Sequence, residues 1–156
     1  MAHPLLIELQ RKWDLRFLRL AREVATWSKD PSTQVGAVIV RRNRSVHSVG
    51  FNGFPQGMSD DPALYADRDS KYSRTVHAEM NALIFAYGSV EDCTLYTWPF
   101  APCDRCAAHM VQAHIRRFVF PSLPADKVVR WAAPLALAVS YFKECGAEFE
   151  EISEAF

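Results

Sequence analysis

The sequence predicts an α/β fold, in which helices pack against a largely buried β-sheet. Segments with helical spacing of apolar residues alternate with short segments rich in β-branched and aromatic residues, in the order αββαβαβαβ. The last connections between strands are long enough to be crossovers, which predicts that neighbouring strands there are parallel. The chain has 156 residues, the size of one domain, so we expect a single domain over residues 1–156.

The first part of the chain predicts a helix followed by a β-hairpin. Apolar residues recur with helical spacing from Trp13 to Trp27, and "DPST" then breaks the pattern. The segments 35–40, "VGAVIV", and 45–52, "SVHSVGFN", have the composition of strands and are joined by the polar link "RRNR". The connection that follows, 53–75, is rich in Gly, Pro, Asp and Ser. A structureless stretch of this length in a compact domain is usually functional, so we expect a binding loop.

The second part of the chain predicts helices and strands in alternation. The helices are expected at 77–87, 103–114 and 125–145, and the strands at 93–98, 116–121 and 147–152. Pro134 is expected to interrupt or kink the last helix, and Gly146 is expected to end it.

Composition and charge narrow the class of protein. Hydrophobic residues make up 49% of the chain and charged residues 23%, which is typical of a globular domain. The 18 basic residues balance 18 acidic ones, so total charge does not predict a nucleic-acid partner. No apolar run reaches about 18 residues, and charge appears early in the N-terminal segment. We therefore expect no membrane partner and a cytoplasmic protein.

A pair of cysteines and one histidine suggest a metal site. Cys103 and Cys106 stand three residues apart at the expected start of a helix, so both sulfurs lie on one face of its first turn. The positive end of the helix dipole favours thiolates there. His77 stands at the start of the preceding predicted helix. In a chain expected to stay reduced, metal chemistry explains the close pair better than a disulfide does.

The candidate ligands form a set suited to Zn²⁺, with two thiolates balancing its charge. Neither Cys93 nor Cys145 belongs to a pair with ligand spacing, so no fourth protein ligand is evident. A coordination position left for water is typical of catalytic zinc sites. Zinc lowers the pKa of bound water from about 15.7 to about 7, which makes hydroxide available at neutral pH.

Glu79 follows His77 by two residues and is our candidate for the general acid and base. With Pro102 and the two cysteines it completes the H-x-E…P-C-x-x-C pattern of zinc deaminases that act on nucleobases. Two structural alternatives remain open. "CDRC" could be half of a structural zinc site, or His77 and Glu79 could only cap a helix.

Four segments, "SKDPSTQVGAVIV", "GFNGFPQGMSDD", "DSKYSRTVHAEMNAL" and "PCDRCA", resemble the deoxycytidylate (dCMP) deaminases of the cytidine deaminase superfamily. The resemblance covers residues 13–121. It implies a three-layer α-β-α sandwich with a central five-stranded mixed sheet. It also implies hydrolytic deamination of dCMP to dUMP with release of ammonia, in which Glu79 acts first as a base and then as an acid.

The resemblance further implies contacts to the substrate. The Asn52 side chain would meet the deoxyribose, and the Ala78 backbone would accept from the amino group of the base. Ser28 and Lys29 are our candidates for the phosphate. The alternatives are that Asn52 is a turn residue before Gly53 and that Lys29 is a solvated helix end.

Partners and regulation are also implied by the resemblance. Family members are commonly homo-oligomers, and many are activated by dCTP and inhibited by dTTP through the long loop before the "HAE" motif. That loop is retained here, so both nucleotides are hypothetical effectors.

The chain departs from the family pattern at "YTWPFAPC", which is one residue longer than in relatives and carries Trp98 and Phe100. We expect these aromatics to be core or interface residues, with base stacking as the alternative. The extra residue lies next to the predicted metal ligands, so we expect it to affect which base is accepted more than the zinc chemistry.

Other functions stay open at this point. The chain could deaminate another free nucleobase, nucleoside or nucleotide, or it could be a non-catalytic zinc-binding regulatory module. The presence of Glu79 favours an enzyme, because a purely structural zinc site does not need an acid or base. Deamination of adenosine in tRNA is disfavoured by the balanced charge and the long loop.

Overall fold

The computed structural model describes residues 3–153, so residues 1, 2 and 154–156 of the expected domain lie outside the described part. The helices are α1 (Pro4–Ala25), α2 (Pro62–Ala66), α3 (Arg68–Arg74), α4 (Ala78–Ile84), α5 (Asp104–Gln112) and α6 (Val128–Cys145), the last preceded by a 3₁₀ turn (Ala125–Lys127). The strands are β1 (Gly36–Val40), β2 (Val46–Phe51), β3 (Thr94–Trp98), β4 (Arg117–Pro121) and β5 (Glu148–Ile152).

The five strands form one mixed sheet in the order β2-β1-β3-β4-β5. Strand β1 is antiparallel to both of its neighbours, β2 and β3, whereas β4 is parallel to both β3 and β5. The parallel pairs are those joined through α5 and α6, because a helix returns the chain to the starting end of the sheet. The predicted hairpin, the parallel crossovers and the mixed sheet are confirmed.

Helices cover both faces of this sheet. In β1, Val38 and Val40 belong to the core that α1 covers, whereas Ala37 and Ile39 belong to the core covered by α4, α5 and α6. Successive side chains of a strand point to opposite faces, so a strand buried on both sides reads as a continuous apolar run. The predicted three-layer α-β-α sandwich is confirmed.

Gly50 brings α4 into close contact with β2. A Cβ at this position would collide with the backbone oxygen of Ala78 and the backbone nitrogen of Ala82, so the close approach requires glycine. Ser48 lies two residues earlier in the same strand and donates from Oγ to the Ala82 carbonyl at 2.6 Å. These contacts fix α4 against the sheet, and the N-terminus of α4 carries the "HAE" motif.

The connection 53–75 contains two short helices, so the expectation of a structureless loop is wrong. Asp61 and Asp67 are the N-caps of α2 and α3, and each side chain accepts a hydrogen bond from a backbone N–H of the first turn. Pro62 stands directly after the first cap, where its missing N–H costs nothing. The polar composition that resembled a loop therefore includes the aspartates that cap these two helices.

Helix α1 begins at Pro4, well before the predicted start at Trp13. His3 is its N-cap, and Nδ1 of this residue accepts from the backbone N–H of Leu5 at 3.3 Å. The apolar pattern did not predict the first turn, because the apolar residues of this turn, such as Leu6 and Ile7, are exposed rather than packed on the sheet.

Helix α6 runs through Pro134 without interruption. Proline has no N–H, so the carbonyl of Arg130, four residues earlier, loses its intrahelical donor. The helix ends at Gly146, as predicted, where φ is 70°. None of the helices between residues 3 and 153 is long and apolar enough to cross a membrane.

Candidate active site

Two helix N-termini converge beside the sheet. His77 is the N-cap of α4 and Cys103 is the N-cap of α5, both with extended backbone conformation. Neither side chain makes a hydrogen bond that caps its own helix. Cys106 lies in the first turn of α5. Because neither side chain caps its own helix, both extend into the space between the two helix N-termini.

The three side chains have the separation that a tetrahedral zinc ion requires. His77 Nδ1 lies 3.5 Å from Cys103 Sγ and 3.4 Å from Cys106 Sγ, and all three ligand atoms lie within 4.8 Å of one another. Bonds of about 2.3 Å to sulfur and about 2.0–2.1 Å to nitrogen place N and S about 3.5 Å apart in a tetrahedron. The residues therefore fit zinc in both donor chemistry and spacing.

Without a bound metal, the cluster favours the protonated forms of His77 and Cys106. The hydrogen bond from the Cys106 thiol lowers the pKa of Cys103 to about 4, and the same bond, with burial, raises the pKa of Cys106. The hydrogen bond to Cys103 raises the pKa of His77 to about 8, against the effect of burial. Because zinc ligands must be deprotonated, metal binding at this cluster would release protons.

Glu79 lies in the first turn of α4 and is 4% exposed. Burial raises the pKa of its carboxyl, which the positive charge of His77 partly offsets. Within residues 3–153, the cluster of candidate ligand atoms contains His77, Cys103 and Cys106 but not Glu79. The carboxyl is therefore beside the metal site and available to exchange a proton.

These groups line one cavity of about 240 Å³. Its wall includes the metal ligands His77 and Cys103, together with Glu79. The other lining residues come from the segment after α1, the residue after β2, α3 and the residue that follows it, the start of α4, the segment after β3, and α6: Asp30, Thr33, Val35, Asn52, Lys71, Tyr72, Thr75, Ala78, Phe100, Arg130 and Trp131. The cavity thus joins an acid, a metal site, cations and aromatic rings, the set of groups that a charged aromatic ligand needs.

A family model described as the cytidine and deoxycytidylate deaminase zinc-binding region matches residues 11–122. The chain belongs to this family. Zinc is the metal named for this family, and His77, Cys103 and Cys106 are placed to hold it. The matched range ends before α6, so the part of the cavity wall that α6 forms lies outside it.

Curated relatives carry related descriptions. An "uncharacterized deaminase in luxG 3'region" of Aliivibrio fischeri is 44% identical over 137 residues, which cover 88% of this chain and 91% of that protein. The deoxycytidylate deaminase of Homo sapiens is 37% identical over 117 residues, which cover 71% of this chain and 65% of that protein. A probable deoxycytidylate deaminase of Caenorhabditis elegans is 43% identical over 109 residues, 67% of this chain and 55% of that protein. The chain thus spans little more than half to two thirds of these two animal relatives.

The fold of this chain is similar to that of a deaminase of known structure. The dCMP deaminase of cyanophage S-TIM5, in complex with dCMP and dUMP, superposes with a TM-score of 0.70 at 20% identity. The superposition covers 97% of this chain and 100% of that chain. At this identity the match supports the three-layer architecture, and the site itself is described by the residues of this chain.

Asn52 lies in the cavity wall and is 6% exposed. Its Oδ1 accepts from the backbone N–H of Val35 at 2.8 Å, and its Nδ2 donates to the Thr33 carbonyl at 2.9 Å. Asn52 stands directly after β2, before Gly53, and its φ is not in the positive region. Its side chain therefore has a fixed orientation at the place where the sequence predicts a sugar contact.

The other predicted substrate contacts have different positions. Ala78 lines the cavity as the first residue of α4, and its carbonyl oxygen lies beside Gly50. Ser28 is buried and donates from Oγ to the Asn52 carbonyl at 2.8 Å. Lys29 is exposed and pairs with Asp60 in the long connection. The structure does not bring Ser28 or Lys29 into the cavity wall, so their role in phosphate binding stays a prediction.

The two aromatics of the longer segment point to different layers. Trp98 packs with the core on the α1 side of the sheet, and the guanidinium of Arg22 lies over its ring. Phe100 is buried in the opposite core and lines the cavity. The segment thus contributes one aromatic to the general core and one to the site.

Sequence reasoning missed several residues of the cavity wall. Arg130 and Trp131 stand near the start of α6, and the Arg130 guanidinium lies over the rings of Trp131 and Tyr72, with its carbon 4.8 and 4.7 Å from the ring centroids. Lys71 and Tyr72 belong to α3, in a segment that the sequence predicts to be a loop. No local pattern ties α3 to α6, because their contact depends on how distant segments pack.

Proposed function

We propose that this chain is a zinc-dependent deaminase that converts dCMP and water to dUMP and ammonia. The observation that carries the proposal is the buried Glu79 carboxyl beside a three-residue zinc site, in the wall of a cavity that also holds aromatic and cationic side chains. Family membership supports deamination, and the relatives described as deoxycytidylate deaminases support dCMP as the substrate.

Zinc, when bound, lowers the pKa of a coordinated water to about 7 and so provides hydroxide for attack on C4 of the base. Glu79 accepts the proton of the attacking water and delivers it to N3 of cytosine. It then transfers the remaining hydroxyl proton to the amino nitrogen, which leaves as ammonia. Burial favours the neutral form of Glu79, so the carboxylate accepts a proton readily once the substrate is in place.

Arg130 is our candidate for the substrate phosphate. Its guanidinium lies over the rings of Tyr72 and Trp131 at the cavity wall, and this residue is exposed. Ring contacts occupy the face of the guanidinium and leave its N–H groups, which lie in its plane, to bind an anion. Arg130 therefore suits a phosphate better than Lys29, which is paired with Asp60 outside the cavity wall.

Asn52 is our candidate for the deoxyribose, and the Ala78 backbone for the amino group of the base. The fixed amide of Asn52 supports the first assignment, because Nδ2 has two N–H groups and Thr33 takes one. Ala78 lines the cavity next to His77, which supports the second assignment, while its carbonyl oxygen also lies beside Gly50.

Self-association, effectors and location remain proposals. Exposed apolar residues of β2 and of the end of α4, namely Phe51, Ile84, Phe85 and Tyr87, support a homo-oligomer. The long connection forms part of the cavity wall through α3, which supports dCTP and dTTP as effectors acting there. The free cysteines at 93, 103, 106 and 145 support a reducing, cytoplasmic location.

The test is a substrate panel with the zinc-loaded protein. Ammonia release is measured from dCMP, CMP, deoxycytidine, dCTP, cytosine and guanine under identical conditions. We expect the highest kcat/KM for dCMP. A preference for another member of the panel would replace the substrate but keep the reaction, whereas no ammonia from any of them would contradict the proposal.

A further inference from the structure

Asn52 is held by the segment 28–35 through its backbone and its side chain. The segment's backbone groups fix the amide, with Val35 N–H on Oδ1 and the Thr33 carbonyl on Nδ2. Ser28 Oγ donates to the Asn52 carbonyl at 2.8 Å. If the amide were turned by 180°, its NH₂ group would face the Val35 N–H and its oxygen would face the Thr33 carbonyl, so both hydrogen bonds would be lost. The segment therefore determines where the second N–H of Nδ2 points.

Asp30 keeps this segment in shape. Its side chain is buried, and Oδ1 accepts from the backbone N–H groups of Ser32 and Thr33 at 2.8 and 3.1 Å. The backbone N–H of Asp30 donates to Ser28 Oγ at 3.2 Å. The same residue thus orders both parts of the segment that contact Asn52.

Lys71 reaches this carboxylate from α3. Its Nζ lies 2.7 Å from Asp30 Oδ1 and 3.0 Å from Ser32 Oγ. The two charged side chains are 9% and 5% exposed, so both charges have been taken out of water. Burying a charge pair is costly, and an apolar pair could hold two segments together at least as well. A buried pair in the wall of the cavity therefore suggests a role beyond stability.

We propose that Lys71 is a positioning residue for the sugar of the substrate. Through Asp30 it fixes the segment 28–35, and this segment aims the free N–H of Asn52 into the cavity. The inference rests on the proposed function, in which Asn52 meets the deoxyribose. It also makes α3 of the long connection a determinant of nucleotide affinity.

The test compares Lys71→Met with Arg74→Met, a cation of the same helix whose Nε donates to Ser70 Oγ rather than to Asp30. Rates are measured on dCMP and on 2′,3′-dideoxycytidine monophosphate, which lacks the 3′-hydroxyl. For Lys71→Met we expect the KM for dCMP to rise about tenfold or more, while kcat and zinc content change less than about threefold. The KM for the dideoxynucleotide should stay within about threefold of wild type, as should every value for Arg74→Met.

Two kinetic results would overturn the inference. An equal rise in KM for both nucleotides would mean that Lys71 acts on the ligand or on the whole cavity rather than through the sugar contact. A lower Tm with unchanged KM for dCMP would leave Lys71 a purely structural role.

Backbone hydrogen exchange provides a readout that does not depend on activity. In the zinc-loaded protein, exchange of the Thr33 and Val35 amides should be about tenfold faster in Lys71→Met than in wild type or Arg74→Met. Unchanged protection would overturn the inference whatever the kinetics. If wild type releases no ammonia from dCMP but protection is lost as expected, the proposed function fails while Lys71 still orders the segment.

A second variant covers the case in which Lys71→Met does not fold, since it leaves the Asp30 charge buried and unpaired. The double variant Asp30→Asn with Lys71→Met removes both charges, and the asparagine oxygen can still accept from the backbone of the segment. The link to α3 is lost in this protein too, so the same rise in KM for dCMP and the same faster exchange at Val35 are expected. Wild-type values for both would overturn the inference.

Discussion

Phe100 lies against Trp131, with ring centroids 5.1 Å apart, and this contact joins the segment before the metal-binding cysteines to helix α6. Phe100 stands three residues before Cys103, and both aromatics line the cavity. Helix α6 lies outside the range matched by the family model. The contact therefore links a residue next to the zinc ligands, within the range matched by the family model, to a part of the cavity wall that lies outside this range.

Trp131→Ala should weaken nucleotide binding without affecting the metal. Without its contact to Phe100, which contributes about 0.5–1.5 kcal/mol beyond the area it buries, this wall of the cavity loses its fixed shape. We therefore expect the KM for dCMP to rise by up to about tenfold. Zinc content, measured on the purified protein, should stay at the wild-type level. Trp27→Ala, which removes a half-exposed tryptophan outside the cavity wall, is the control and should leave KM unchanged. Equal effects of the two variants would contradict the role of the wall.

Arg130→Gln should discriminate between nucleotide and nucleoside. A hydrogen bond to a charged group contributes about 1.5–3 kcal/mol, so the KM for dCMP should rise about 10- to 100-fold. Deoxycytidine has no phosphate, and its kcat/KM should not change. Arg19→Gln, on the exposed side of α1, is the matched control. A parallel loss on dCMP and deoxycytidine would show that Arg130 does not read the phosphate.

Glu79→Gln should abolish turnover and keep the metal. Loss of a general acid and base lowers kcat by about 10²- to 10⁴-fold, and the amide of glutamine is nearly the same size as the carboxyl. Zinc content should match wild type, because Glu79 lies outside the ligand cluster. Glu91→Gln, at an exposed position, should retain full activity. Wild-type ammonia release by Glu79→Gln would refute the assignment.

Zinc should stabilise the wild-type fold, because a ligand that binds only the native state shifts unfolding by mass action. At a free zinc concentration about 100 times Kd the gain is about 2.7 kcal/mol, measured as a higher Tm with zinc than with chelator. Cys103→Ser should lose most of this gain together with ammonia release. Cys145→Ser replaces an exposed cysteine outside the cluster and should keep both. An undiminished zinc-dependent rise in Tm for Cys103→Ser would contradict the ligand assignment.

Asp14→Ala should destabilise the fold without changing the chemistry. Asp14 is buried, accepts two hydrogen bonds of 2.7 Å from Arg117, and accepts another of 2.8 Å from the Tyr96 hydroxyl. Breaking a buried pair costs about 3–5 kcal/mol in the free energy of unfolding, measured by urea denaturation. Glu150→Gln, which alters the more exposed pair with Arg11, should cost less than about 1 kcal/mol. Since Asp14 is not in the cavity wall, kcat and KM of the folded variant should match wild type.

Much of the fold could be predicted from the sequence because its signals are local. Strand β1 is a continuous apolar run, β4 is one after its first residue, Arg117, and α5 begins where Pro102 and the cysteines suggest. The exceptions have physical reasons. Helices α2 and α3 are too short to show an apolar period, and the first turns of α1 carry exposed apolar side chains.

The sequence by itself determined the candidate metal ligands and predicted Glu79 as the acid and base beside them. Cys103 and Cys106 share one helical turn, and Glu79 stands two residues from His77, so covalent spacing restricts each of these pairs to a small range of distances. Only the tertiary structure decided what completes the cavity. Lys71, Arg130 and Trp131 reach it from α3 and α6, and their positions depend on packing between segments far apart in the chain. The same packing keeps Ser28 and Lys29 out of the cavity wall, although both lie close in sequence to the residues that line it.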